Sequence, residues 1–214
     1  EVDKLPEEAL KTVISASILT RRGLQRTNNQ DIGLTSIILA GGKNLRLGRI
    51  KALETINSKS LIERAVERVE LVSNQILVVT SQGQLTLHDN CKAKILVDLY
   101  PGKGPLGGIY TGLLASESSH SLVVACDMPF LNIKLLHYMI GLCQDFDVVV
   151  PRVGEEKLEP LHAIYSKNCL DSMKTLLEQN QLKIDRFFNT VNVRYIERAE
   201  CQKFDPELLT FFNI

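Results

Sequence analysis

The segment from Leu39 to Lys51 combines glycines with closely spaced cations. Gly41 and Gly42 follow a short apolar run, where glycines let the backbone approach a ligand and present N–H groups to an anion. Arg46 offers a planar fork of donors that suits phosphate, and Lys51 adds a mobile point charge. Lys43 and Arg49 add to the same cluster. The segment predicts a phosphate-binding loop, with a plain tight turn as the alternative, and its spacing matches neither a Walker P-loop nor the dinucleotide fingerprint.

Two further segments place polar side chains after apolar runs. Asp127 precedes Met128-Pro129, and a carboxylate at such a corner suits Mg²⁺, which takes few protein carboxylates and shares its coordination with substrate phosphates. A cap before a proline-started helix is the alternative interpretation of Asp127. Asp98 opens a stretch to Gly108 with four glycines and two prolines, which predicts a shaped loop, with an exposed solvent loop as the alternative.

Short apolar runs alternate with amphipathic segments from Leu34 onward. They predict strands at 37–40, 76–80, 94–98, 121–126, 147–150 (ended by Pro151), 161–165 and 191–196, and helices at 61–72, 107–115, 133–142 and 170–178. This order predicts an α/β fold: a three-layer, Rossmann-like, doubly wound and mostly parallel sheet with helices on both faces. Ligands of such sheets bind beyond the carboxyl ends of the strands, where Thr80, Asp98 and Asp127 are expected.

Composition and charge narrow the class of protein. The 214 residues include 25 basic and 25 acidic side chains, a balance that argues against a dedicated nucleic-acid binder. No apolar run approaches the roughly 20 residues of a membrane span, and no signal-peptide pattern is present. Five scattered cysteines without Cys-x-x-Cys spacing favour free thiols over a zinc site or a disulfide framework. We therefore expect a cytoplasmic protein without nucleic-acid or membrane partners.

The chain divides into two predicted parts. Residues 1–33 combine an acidic helix start, apolar residues at helical spacing and a polar, turn-rich end, which predicts an N-terminal helical extension and a linker. Residues 34–214 carry the alternation of strands and helices and predict one domain.

Three motifs resemble those of one enzyme family. Leu39-Ala40-Gly41-Gly42, with Arg46, Gly48 and Lys51, resembles the signature of Rossmann-like nucleotidyltransferases. Gly104-Pro105-Leu106-Gly107-Gly108 and Cys126-Asp127-Met128-Pro129 narrow the resemblance to the molybdenum cofactor guanylyltransferases, which join GMP to molybdopterin. The stretch Phe211–Ile214 resembles the start of that family's late Asn-containing motif. The resemblance extends over residues 34–214 and departs from the family at Ile50, where Asp is common, and at Leu47, where Met is usual.

The resemblance implies a role for each matching residue. The implied catalytic residues are Arg46, Lys51 and Asp127; the implied nucleotide-binding residues are Leu39, Ala40, Gly41, Gly42, Lys51, Thr80, Asp98, Gly107 and Asp127; the implied metal ligands are Asp127 and Asn213. Mg²⁺ is the implied cofactor. Leu39, Ala40 and Gly41 would cradle GTP through the backbone, while Arg46 would approach the triphosphate and Lys51 would neutralise the reacting phosphate.

The implied reaction is attack of a molybdopterin phosphate on the α-phosphorus of GTP, with release of pyrophosphate. The implied substrates are GTP and molybdopterin, and molybdoenzymes or other cofactor-biosynthesis proteins are the implied protein partners. Two alternatives stay open from the sequence. One is nucleotidyl transfer to a sugar phosphate or another cofactor precursor, and the other is a non-catalytic nucleotide-binding module.

Overall fold

The computed structural model describes residues 33–41, 51–56, 59–81, 85, 87 and 91–214, without the side chains of Lys51 and Ile56. The predicted N-terminal extension lies outside these residues except for Gly33. Residues Gly33–Ile214 form one compact unit. Among the described helices, none has the length and apolar character that crossing a membrane requires.

The described elements follow one another as strands and helices in near alternation. The strands are β1 (Thr35–Leu39), β2 (Thr55–Ile56), β3 (Lys59–Ser60), β4 (Gln75–Thr80), β5 (Ala93–Val97), β6 (His120–Ala125), β7 (Val148–Arg152), β8 (His162–Ser166) and β9 (Val193–Glu197). The α-helices are α1 (Leu61–Val69), α2 (Gly104–Ala115), α3 (Ile133–Leu142), α4 (Leu170–Glu178) and α5 (Arg198–Cys201). Short 3₁₀ helices lie at Lys51–Leu53, Cys143–Asp145, Lys167–Cys169, Ile184–Thr190 and Leu209–Phe211.

The main sheet among the described residues has seven strands in the order β5-β4-β1-β6-β8-β7-β9. Its neighbours pair in parallel except β8, which is antiparallel to both β6 and β7. The chain leaves β1 towards β4 and β5 and later returns to the other side of β1 with β6. The strand order therefore reverses at β1, and the predicted doubly wound, mostly parallel sheet is confirmed.

Side chains on the two faces of the sheet belong to two separate apolar layers. Ile38 and Val124 pack in the layer that contains Leu135 of α3 and the buried side of α1. Ile37 and Val123 pack in the other layer with Ile109 of α2 and the buried side of α4. Alternate residues of a strand point to opposite faces, so β1 and β6 are buried along their whole length. Helices on both faces are confirmed.

Local sequence explains where two of these helices begin. Ser60 and Glu63 form a reciprocal capping box at the start of α1: Glu63 N donates to the Ser60 hydroxyl (3.3 Å) and Ser60 N donates to the Glu63 carboxylate (2.8 Å). Asn132 caps α3, because its Oδ1 accepts hydrogen bonds from Lys134 N (3.0 Å) and Leu135 N (3.1 Å).

Several details differ from the sequence prediction. The short strands β2 and β3 were not predicted, and the helix expected at 61–72 ends at Val69. The helix expected to begin at Gly107 begins at Gly104, with Pro105 in its first turn, so the glycine-rich segment is partly helix rather than loop. Pro151 lies inside β7 rather than ending it. The pairing of β7 with β8 covers Val148 and Val149, so the missing N–H of Pro151 falls where that ladder has ended. The antiparallel direction of β8 has no signal in the apolar pattern.

Candidate active site

The end of β1 lies at the point where the strand order reverses. Leu39 is in register with Val79 of β4 on one side and Ala125 of β6 on the other. Beyond the ladder, Ala40 N donates to Val79 O (2.8 Å) and Leu39 O accepts a hydrogen bond from Cys126 N (3.1 Å). The N–H of Ala40 is thus used by the protein. Among the described residues of the predicted cradle, Gly41 is the candidate for a backbone donor to a phosphate.

Gly41 lies close to the residue that follows β4. A Cβ on Gly41 would lie 3.1 Å from the backbone nitrogen of Ser81, which follows β4. The remaining predicted phosphate ligands Gly42 and Arg46, and the cations Lys43 and Arg49, lie outside the described residues. Lys51 is described through its backbone alone, as the first residue of a 3₁₀ helix. The cationic part of the site therefore stays a prediction.

Helix α2 reaches the same edge because its glycines let it approach β1. A Cβ on Gly112 would lie 2.5 Å from Ile37 Cγ2, and one on Gly108 would lie 3.0 Å from Leu39 Cδ2. A Cβ on Gly107 would lie 2.9 Å from the carbonyl oxygen of Tyr100. Packing thus explains these glycines, and a nucleotide contact at Gly107 stays a prediction.

Asp98 follows β5 and is fixed by a residue that the sequence analysis missed. Its Oδ1 accepts hydrogen bonds from Tyr100 N (2.9 Å) and from the hydroxyl of Thr111 (3.0 Å). The same hydroxyl accepts a hydrogen bond from Leu99 N (3.0 Å). Thr111 therefore locks the turn and the carboxylate together. Asp98 and Thr111 are separated by 13 residues, and no sequence signal links them before the fold is known.

Thr80 is the predicted nucleotide contact on β4, the strand between β1 and β5. It is the last residue of β4 and is buried, with 6% of its surface exposed. Its carbonyl accepts a hydrogen bond from Asp98 N (2.8 Å), which joins the ends of β4 and β5. Gly41, Thr80 and Asp98 thus lie on three neighbouring strand ends.

Asp127 lies two residues beyond β6, and the end of the chain lies against it. Ile214 N donates a hydrogen bond to the Asp127 carbonyl (3.1 Å), which brings Asn213 next to Asp127. The alternative role of Asp127 as a cap is wrong, because the helix that follows begins at Ile133 and is capped by Asn132. The pairing of Asp127 with Asn213 agrees with their predicted roles as metal ligands and does not by itself test them.

The C-terminal segment is anchored by buried polar contacts. Thr210 N donates to the Asp205 carboxylate (2.7 Å), and the hydroxyl of Thr210 accepts a hydrogen bond from Asn132 N (3.1 Å). The ring of Phe211 meets the ring of His162 edge to face, with 5.0 Å between centroids. These contacts hold the segment that carries Asn213.

His162 is a structural residue. It is 0% exposed, neither ring nitrogen has a hydrogen-bond partner among the described residues, and burial lowers its pKa to about 3. A neutral imidazole that no ligand can reach does not transfer protons at physiological pH. Its contact with Phe211 instead packs the C-terminal segment against the sheet.

Comparisons with known proteins give the same assignment as the motifs. The family described as "MobA-like NTP transferase domain" matches residues 36–193. The chain is 35% identical to a probable molybdenum cofactor guanylyltransferase of Peptoclostridium acidaminophilum, over 84% of this chain and 83% of that protein. It is 34% identical to a molybdenum cofactor guanylyltransferase of Desulfosudis oleivorans, over 85% of this chain and 89% of that protein.

Solved structures show the same fold. The molybdopterin-guanine dinucleotide biosynthesis protein A of Archaeoglobus fulgidus matches with a TM-score of 0.72 and 28% identity, over 84% of this chain and 91% of that one. The 2-C-methyl-D-erythritol 4-phosphate cytidylyltransferase of Thermus thermophilus matches with a TM-score of 0.63 and 15% identity, over 85% of this chain and 92% of that one, and so shares the fold alone. From its motifs, its fold and these relatives, the chain belongs to the MobA-like nucleotidyltransferase family and is a nucleotidyltransferase.

Proposed function

We propose that this protein transfers GMP from GTP to molybdopterin and releases pyrophosphate. The observation that carries the proposal is the arrangement at the reversal point of the sheet. Gly41, Thr80 and Asp98 lie on one side of it, and Asp127 with Asn213 lies on the other. Relatives that are named molybdenum cofactor guanylyltransferases and match most of this chain support the choice of substrates.

The reaction needs positioning more than proton transfer. The attacking phosphate of molybdopterin is already ionised, so no strong general base is required. The protein must bring two anions together and neutralise the charge that builds between them. In the proposal, Arg46 binds the triphosphate and Lys51 neutralises the reacting phosphate. Leu39, Ala40, Gly41 and Gly42 border the phosphates, and Thr80, Asp98 and Gly107 contact the nucleoside.

Asp127 and Asn213 form a donor set that fits Mg²⁺. Both offer oxygen ligands, and the hydrogen bond from Ile214 N to Asp127 O keeps their backbones adjacent. Within the described part of the chain, no group of three His, Cys, Asp or Glu side chains forms a complete metal cage. That agrees with Mg²⁺, which uses one or two carboxylates and leaves other positions to substrate phosphates. When bound, the ion would supply positive charge to the phosphate oxygens.

Further features of the proposal concern the whole protein. We place the catalytic domain at residues 34–214, which contain the matched family region. We place the protein in the cytoplasm, where its five free cysteines stay reduced. Molybdoenzymes or other proteins of cofactor synthesis are the proposed recipients of the product.

A panel of donors and acceptors tests the proposed function against its alternatives. Pyrophosphate release is measured for GTP, CTP and ATP, each with molybdopterin, with a sugar phosphate and without an acceptor. We expect rapid release with GTP and molybdopterin and at least tenfold slower release in the other mixtures. Pyrophosphate release with the sugar phosphate but not with molybdopterin would make a sugar phosphate the acceptor. Nucleotide binding without pyrophosphate release in any mixture would indicate a non-catalytic module.

A further inference from the structure

A carboxylate outside the proposed mechanism lies at the same edge of the sheet. Glu159 opens the turn that leads into β8: its N–H donates to Pro151 O (3.0 Å), and its carbonyl accepts a hydrogen bond from His162 N (3.0 Å). Pro160 occupies the second position of this turn, which suits its fixed φ. The backbone of Glu159 is therefore fixed on both sides.

The turn also joins the strand that leads to Asp127. Leu161 O accepts a hydrogen bond from Ala125 N (3.1 Å), at the last residue of β6. Because β8 is antiparallel to β6, the start of β8 and the end of β6 lie at the same edge of the sheet. Glu159 thus belongs to the edge where ligands of this fold class bind.

The side chain of Glu159 is largely buried, and one of its two carboxylate oxygens is enclosed. The residue is 8% exposed, and no described residue donates a hydrogen bond to its enclosed Oε1. Lys157 Nζ lies 3.1 Å from Oε1 as an ion pair, but its geometry makes no hydrogen bond and its side chain is 68% exposed. Asp205, also 8% exposed, shows the usual arrangement, because its carboxylate accepts a hydrogen bond from Thr210 N (2.7 Å).

The enclosed Oε1 is held by Lys157 and cannot meet a ligand, but Oε2 is not among the enclosed atoms and has acceptor capacity that a ligand can use. Buried carboxylates are costly unless N–H or O–H groups satisfy them, so native structures rarely leave them without donors. The small exposed fraction distinguishes Glu159 from His162, which is fully enclosed and cannot meet a ligand. A carboxylate oxygen can accept two hydrogen bonds, so Oε2 can meet two adjacent N–H groups.

Both proposed substrates carry such a pair of N–H groups. The pterin ring of molybdopterin and the guanine ring of GTP each have an amino group beside a ring N–H. Glu159 lies at β8, four strands from β5 and Asp98, which is about 19 Å at the usual strand spacing of about 4.8 Å. A guanine held near Asp98 is therefore out of reach of Glu159. In the proposed function the pterin lies on the other side of Asp127, on the same part of the edge as Glu159.

We propose that Glu159 is a specificity-determining residue that binds the amino and ring N–H groups of the pterin acceptor. The inference rests on the proposed function, because it takes the acceptor class from it. Lys157 would remain near the carboxylate and reduce the cost of its charge while the pterin donates the hydrogen bonds. The two substrates then occupy opposite halves of the edge, with Asp127 between them.

The test compares Glu159→Gln with Glu156→Gln, an exposed glutamate at the tip of the same hairpin. Gln keeps the size of the side chain but replaces one acceptor oxygen with a donor. We expect Glu159→Gln to raise KM for molybdopterin at least tenfold and to change KM for GTP less than twofold, while Glu156→Gln changes neither. An unchanged KM for molybdopterin would overturn the proposal, and a rise confined to KM for GTP would assign Glu159 to guanine instead.

Direct binding of a pterin separates this inference from the proposed function. Fluorescence anisotropy of 6-hydroxymethylpterin is measured with the full chain, with Glu159→Gln and with Glu159→Asp, which retains the charge on a shorter side chain. We expect binding by the wild-type chain, at least tenfold weaker binding by Glu159→Gln and partial recovery in Glu159→Asp. Absence of binding to the wild-type chain, or equal binding by the variants, would overturn the proposal. Failure of guanylylation together with Glu159-dependent pterin binding would overturn the reaction alone.

Discussion

Among single residues, Asp127 gives the strongest test of the proposed function, because the proposal assigns it contacts with both the metal and the α-phosphate region. We expect Asp127→Ala to lower kcat for pyrophosphate release by about 100-fold or more, since it removes the carboxylate aimed at the developing charge. Asp145→Ala is the matched control, because Asp145 is exposed in a 3₁₀ helix away from the strand ends. Wild-type kcat in Asp127→Ala at saturating GTP and Mg²⁺ would contradict the assignment.

Thr111 offers a test of the nucleotide side that does not alter a predicted ligand. Thr111→Val removes the hydroxyl that donates to Asp98 and keeps the shape of the side chain. We expect KM for GTP to rise about three- to tenfold, the scale of one hydrogen bond, with recovery in Thr111→Ser. Thr175→Val, on the exposed side of α4, is the control. An unchanged KM in Thr111→Val would show that the orientation of Asp98 does not matter for GTP.

From the buried imidazole of His162 we can predict how the free energy of unfolding depends on pH. Its pKa is about 3 in the folded protein and 6.5 without burial, so the unfolded chain binds the extra proton first as the pH falls. The contribution of neutral His162 to the free energy of unfolding is fully present above pH 6.5 and is lost progressively as the pH falls towards about 3. The loss between pH 7.5 and pH 5.0 is about 2 kcal/mol. Urea unfolding at both pH values measures this loss. We expect His162→Leu to lose less stability over this range than the wild type, whereas His137→Leu, at an exposed position, should match the wild type.

At the level of elements, the close approach of α2 to β1 is the feature that places Gly108 against Leu39 and Gly112 against Ile37. Gly112→Ala should destabilise the protein by about 1–3 kcal/mol, because the new Cβ would lie 2.5 Å from Ile37 Cγ2 in a packed core. Gly141→Ala, in α3 with open space around its Cβ, should instead stabilise it by up to about 1 kcal/mol. Equal effects of the two substitutions in urea unfolding would contradict this packing.

The elements also show what a sequence can and cannot predict. Apolar runs located the seven strands of the main sheet within one or two residues, because strands such as β1, β4 and β6 are buried on both faces and need continuous apolar residues. The short strands β2 and β3 carry no such run and were not predicted. The direction of β8 was not predictable, since burial leaves the same apolar pattern in either direction. The start of α2 was misplaced because glycines usually indicate loops, whereas here they serve close packing.

At the level of the site, the same distinction applies. The sequence predicts Thr80, Asp98 and Asp127 as candidate site residues from their positions at strand ends, because the fold class fixes where ligands bind. Thr111 and the enclosed carboxylate of Glu159 were not predictable as site residues, because their importance depends on contacts between segments that are distant along the chain. The predicted cations Arg46 and Lys51 have no described side chains, so their roles rest on the sequence.

For the whole molecule, a balanced charge conceals an uneven distribution. The 25 basic and 25 acidic residues cancel in total, yet four cations fall between residues 43 and 51, while the acids Asp98 and Asp127 follow β5 and β6. In the proposed function, the cations bind the phosphates and Asp127 binds the metal, and together they neutralise the charge that builds between two phosphorylated substrates.

The identity of the product tests the central claim most directly. The full chain is incubated with GTP, molybdopterin and Mg²⁺, and the products are analysed by mass spectrometry, with CTP replacing GTP in a parallel reaction. We predict the guanine dinucleotide of molybdopterin in equimolar amount with pyrophosphate, and little or no cytidine product. Pyrophosphate release without the guanine dinucleotide, or equal formation of the cytosine dinucleotide, would contradict the account.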